Sequence, residues 1–85
     1  MGKSSNTVLW TDERLRRFRE RLGSVVRARR RAAGLTQAEL GRPLTRAFVA
    51  QLEAGQVLPS LPTFVVLAER LGLTPEELFR VVNGS

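Results

Sequence analysis

Arg46, Ala47, Ala50 and Gln51 lie close together in the chain, and their types suit one kind of surface. An arginine fork bonds the edge of guanine bidentately, glutamine does the same for adenine, and small residues let a backbone come close. That is the chemistry of a duplex major groove. Phe48 lies among them with two open fates: contact with a thymine methyl or a sugar, or packing back onto the core. Other chemistry finds little material. There is no His and no Cys, so neither a Ser-His-Asp set nor a thiolate is available, and metal sites are largely excluded. Glu76-Glu77 could pass for paired catalytic carboxylates, but a helix cap accounts for them. No enzyme, cofactor or metal is expected.

The groove-facing residues need a short, well-bounded helix beneath them. Thr45 suits its N-cap, because its hydroxyl accepts from a first-turn N–H that lacks a helical partner. Gly55 suits the left-handed residue that ends a helix. Val49 and Leu52, three apart, turn to a core and leave Arg46, Ala47, Ala50 and Gln51 outward. Upstream, Thr36 and Glu39 form a capping box for a helix over Gln37-Ala38-Glu39-Leu40-Gly41-Arg42. Pro43 biases Arg42 away from α geometry, so the turn is Arg42-Pro43-Leu44.

Three more helices complete the frame. Thr11 or Asp12 caps a long first helix, with Leu15, Phe18, Leu22, Val25, Val26 and Ala33 on one face. Glu13–Arg17 and Asp12–Arg16 are spaced as i,i+4 pairs. Gly23 costs about 1 kcal/mol inside a helix. Gly23-Ser24 therefore leaves two readings, a break with Ser24 capping a second segment, or a continuous or kinked helix to Ala33, which is favoured. Gly34 stops it. After the loop Gln56-Val57-Leu58-Pro59-Ser60, a fourth helix runs from Leu61 or Pro62 to Leu71, with Phe64, Leu67, Ala68 and Leu71 inward, and Gly72 ends it. Leu73-Thr74-Pro75-Glu76-Glu77 opens a fifth with an N-cap, a Pro at the first position and a capping box. Leu78, Phe79 and Val82 follow before Asn83-Gly84. The expectation is an all-α five-helix domain over residues 11–82, with its motif at about 36–54 and tails at 1–10 and 83–85. Trp10 is expected to cap the core beside the first helix, or else to serve a dimer contact.

The net charge of +6 is unevenly placed. From Asp12 to Gly34 nine Arg face three acids, which is +6, and the rest of the chain balances. Such a stripe is either a solvated face or the footprint of a polyanion partner. A third reading, an interfacial membrane helix over residues 12–33, ranks low because it has no use for Arg46 and Gln51. No apolar run is long enough to span a bilayer and no secretory leader is legible, so a soluble cytoplasmic protein is expected.

Taken together these residues resemble the helix-turn-helix domain of the phage repressor and Cro (Xre) type, from about Leu22 to Phe79. The matching features are Arg30 four before Gly34, Gln37 and Leu40 in the first motif helix, and Thr45, Val49, Leu52, Glu53 and Gly55 in the second. Pro59-Ser60 and the closing Leu71-Gly72-Leu73-Thr74-Pro75-Glu76-Glu77-Leu78-Phe79 complete them. The resemblance implies a compact lambda-repressor-like bundle with an N-terminal extension on its first helix. It also implies a transcriptional regulator, a repressor, that binds double-stranded DNA as a homodimer. Arg46, Ala47 and Gln51 match the base-reading positions, with Phe48 and Ala50 flanking. Gln37 is implied as a phosphate contact, with Thr36, Arg42 and Thr45 beside it. Gly41 matches the small residue that lets the motif helices approach, and Arg30 with Glu53 a buried ion pair. Leu73, Phe79 and Val82 are candidates for the dimer face. The chain departs from the pattern in its shorter turn, where Pro43 replaces a Gly-containing one, and in a loop after Gly55 with no basic residue. The basic extension over residues 1–21 is expected to supply those phosphate contacts. The alternative is an antitoxin or adaptor on the same scaffold, with that extension as the surface for a protein partner.

Overall fold

Thr11 opens the first helix, its hydroxyl accepting the Arg14 N–H at 3.1 Å. The computed structural model describes residues 11–84, and among these are five α-helices and no strand. They are α1 (Asp12–Ala32), α2 (Gln37–Gly41), α3 (Arg46–Glu53), α4 (Leu61–Arg70) and α5 (Pro75–Gly84). The expectations for Trp10 and for the N-terminal tail lie outside the described residues. The caps stand where their local chemistry put them: Thr36, Thr45 and Ser60 each accept a backbone N–H three residues on. Thr74 and Glu77 exchange N–H bonds at 2.8 and 3.0 Å in a second capping box. α5 continues through Asn83 and Gly84, so the chain stays helical past Val82.

α1 is unbroken from Asp12 to Ala32, and the Gly23-Ser24 break does not occur. Gly23 is there for a neighbour. A Cβ at this position would lie 2.5 Å from the Leu52 carbonyl oxygen and 2.6 Å from that of Glu53. Only a glycine lets α1 pass that close to the end of α3, which offsets its poor helix propensity. Ala33, expected on the inner face, is an exposed C-cap, because the chain leaves the helix there for Gly34. Along the solvent side, Arg16 is held by Glu13 at 2.6 Å and Glu20 at 3.0 Å rather than by Asp12, and Glu13 to Arg17 spans 3.9 Å.

α1 packs on α3 and α5, α2 on α3 and α4, and α4 on α5. Leu22 and Val26 of α1, Leu40 of α2, Val49 and Leu52 of α3, Leu67 and Ala68 of α4, and Leu78 and Val82 of α5 close one buried core. Burying each large aliphatic side chain contributes about 1.5–3 kcal/mol. Phe18 of α1 and Phe79 of α5 stack tilted at 5.7 Å on the rim. With its inner edge held by α1 and α2, α3 leaves its other side to solvent.

Candidate nucleic-acid interface

The turn into α3 is short because two helices are allowed to touch. Gly41 is buried, and a Cβ there would come within 2.6 Å of Val49 Cγ2. Arg42 leaves α geometry at φ −54° and ψ 134°, and the Leu44 N–H returns to the Gly41 carbonyl. Thr45 then caps α3 by accepting the Phe48 N–H at 3.1 Å. At the far end Gly55 takes φ +77°, so its N–H reaches Leu52 O and that of Gln56 reaches Gln51 O, both at 3.0 Å. This pair of hydrogen bonds to the last carbonyls is the Schellman stop.

Within α3 the sorting is complete. Val49, Leu52 and Glu53 are buried, Phe48 and Ala50 half-buried, and Arg46, Ala47 and Gln51 exposed. Phe48 therefore turns partly inward, between its two open fates. Arg42, Thr36 and Thr45 are exposed beside the turn and the helix starts. The two Thr oxygens accept backbone N–H bonds, at 3.1 Å each, which leaves each hydroxyl proton free to donate.

Behind this face sits a buried charge pair. Arg30 donates from Nε to Glu53 Oε2 at 2.6 Å and from Nη2 to Oε1 at 3.1 Å, with side chains only 11% and 3% exposed. Its Nη1 donates to the Leu35 carbonyl at 2.9 Å. Gln37 is half-buried, and its Nε2 donates to Glu53 Oε1 at 3.0 Å. One carboxylate thus joins α1, α2 and α3. Burial pushes the Glu53 carboxyl up, but the bonds from Arg30 and Gln37 and the charge of Arg30 and Arg27 outweigh it and hold it below the usual carboxylate range. The bond to Glu53 in turn raises Arg30. Gln37 keeps a second amide proton for another acceptor.

A family model described as Helix-turn-helix domain matches residues 21–80. The chain belongs to that helix-turn-helix domain family. No curated protein and no solved structure matches it. The matched residues take in α2, α3 and α4 whole, with Arg46, Ala47 and Gln51, and leave out the first two turns of α1. Among the described residues no helix is long and apolar enough to cross a membrane.

Sequence reasoning missed several residues that hold the helix-turn-helix in place. Gly23 looked only like a weak point in a helix. Arg70 Nη1 caps the end of α2 by donating to the Glu39 and Leu40 carbonyls at 3.1 and 3.4 Å. Arg19 Nε donates to the Gly55 carbonyl at 3.2 Å. No local signal marks these, since each partner lies on another helix or just beyond its end. Of the residues expected at a dimer face, Val82 is fully buried, which removes it from any surface, and Leu73 is half-buried. Phe79 is 45% exposed, beside Leu61 at 74%.

Proposed function

We propose that this domain is a sequence-specific, double-stranded DNA-binding transcriptional regulator of the phage repressor and Cro (Xre) type, acting as a repressor. α3 enters the major groove. Arg46, Ala47 and Gln51 read base edges, with Ala50 and Phe48 at the margin of the contact. Thr36, Gln37, Arg42 and Thr45 meet phosphates through hydroxyl, amide and guanidinium donors. The protein works without a cofactor and without catalysis, in the cytoplasm, as a homodimer on two half-sites one helical turn apart, about 34 Å. Phe79 and Leu61 are exposed apolar side chains available to that pairing.

One observation carries the reading: α3 is anchored through Val49, Leu52 and Glu53 and leaves an outer face with a single charge, Arg46. A solvated helix normally carries more charge on its free side. Small side chains at 47 and 50 keep that face low enough to lie against base edges. The positive extension adds sequence-independent attraction.

Selection of binding sites from random duplex DNA by the purified chain tests the whole proposal. The expected result is a short two-fold symmetric site. Arg46→Ala is expected to weaken that site by about 1–3 kcal/mol and to relax one base position. Recovery of random sequence, with weak salt-insensitive binding and a stable heteromeric complex, would move the assignment to the antitoxin or adaptor class.

A further inference from the structure

The family match starts at residue 21, yet Arg19 and Glu20 of α1, just before it, touch Gly55, the residue that stops the reading helix. Half-buried Arg19 donates from Nε to the Gly55 carbonyl at 3.2 Å, 36 residues along the chain. Gly55 is the left-handed stop of α3, and a Cβ on it would lie 3.2 Å from Glu20 Cα. The extension therefore lies directly against the stop. The carbonyls at a helix C-terminus carry partial negative charge, which a guanidinium complements.

We propose that Arg19 is a positioning residue for α3. It pins the C-terminal stop of the helix to α1 and so sets the angle at which Arg46, Ala47 and Gln51 face outward. This rests on the DNA-reading role proposed for that face. α1 holds α3 at three points along one stripe. Gly23 lies under the Leu52 and Glu53 carbonyls, Arg30 grips the Glu53 carboxylate, and Arg19 grips Gly55. From 19 to 30 these points span about 16 Å of helix. Gly23 and Arg30 both act near Glu53, so they leave a pivot there. Arg19, at the other end of the stripe, removes that pivot. Base recognition tolerates errors of only about half an ångström, so a small rotation of α3 costs specificity before it costs affinity.

Two variants test this. Arg19→Met keeps the apolar stem and loses the donor, and Arg19→Lys keeps a donor and the charge. Amide exchange at Gly55 and Gln56 is measured in the free protein. The ratio of affinities for the selected site over an unrelated duplex is measured beside it. Arg19→Met is expected to speed exchange at both amides about fivefold, as loss of one net hydrogen bond does. It should also lower the affinity ratio about three- to tenfold, with Arg19→Lys restoring most of both. Unchanged exchange in Arg19→Met overturns the proposal. So does faster exchange with an unaltered ratio, which would make Arg19 a purely structural contact. If the wild-type chain selects no site, the DNA reading fails, and the exchange data still decide whether Arg19 fixes the end of α3.

Discussion

Arg30 and Glu53 would lose more by separation than they gain by union. Two charges taken out of water recover their hydration only through good geometry, and here the fork is bidentate with Leu35 O and Gln37 Nε2 completing the set. Removing one partner strands the other. Glu53→Leu or Arg30→Met alone is therefore expected to lower stability by about 3–5 kcal/mol in urea unfolding, and the double variant to recover most of that loss. A single variant that unfolds at the wild-type midpoint would show that water reaches the pair. The same network restrains Gln37. A phosphate contact from it has to use the amide proton that Glu53 leaves free. Among the arginines of α1, Arg27 stands close enough to influence Glu53, whereas Arg17 lines a cleft with Asn83 of α5. Arg27→Ala is expected to weaken binding to all duplexes and to reduce the slope of log affinity against log salt by about 1. Arg17→Ala, in the basic extension, is expected to do the same. A wild-type salt slope in both variants would remove the α1 arginines from the attraction to DNA.

Two opposed terms meet in α1 at Gly23. Alanine there would gain about 1 kcal/mol in helix propensity. Its Cβ, however, would strike backbone carbonyl oxygens at 2.5 and 2.6 Å, and backbone cannot swing aside as the end of a side chain can. Overpacking of this kind costs about 1–3 kcal/mol. The steric term wins, and Gly23→Ala is expected to destabilise the domain and to loosen α1 from α3. Gly84, helical and with nothing within 4 Å of a Cβ, supplies the contrast: Gly84→Ala should be neutral or slightly stabilising. Thermal unfolding of the two variants side by side checks the sign. Thr36→Ala removes the hydroxyl from the capping box of a five-residue helix and is expected to cost about 1 kcal/mol.

Across the whole chain, titration is simple. There is no His, so no side chain changes charge near neutrality. Three carboxylates sit below their usual range. Bonds from the Thr36 and Thr74 backbones lower Glu39 and Glu77, and Arg30 and Gln37 prevail over burial at Glu53. A carboxyl whose folded value is depressed contributes stability that is present above its unfolded value and lost as pH falls through the folded one. Melting temperature is thus expected to be flat from about pH 8 to 5.5 and to fall only below about 4.5, the ordinary carboxylate range. Glu53→Gln should shrink the acid-side fall. A melting step near pH 6 in the wild type would contradict this account.

The five helices, their caps and their stops were legible in the residues because these are short-range chemistry. Thr36 meets Glu39, Thr74 meets Glu77, and Gly55 turns back on Leu52, all within three residues. Periodicity likewise marked the buried side of α3 and, by elimination, its outer face. What the linear order left open is which helices touch, and how closely. Gly23 reads as a flaw until Leu52 and Glu53 lie over it, and Arg19 as one more surface arginine until Gly55, 36 residues away, presents its carbonyl. Val82 and Phe79 lie three apart on one amphipathic helix, and only the packing of α1 and α4 around α5 buries the first and leaves the second exposed. Contacts made after a chain closure of tens of residues leave no pattern in the neighbours of either partner. They exist only once the bundle has formed.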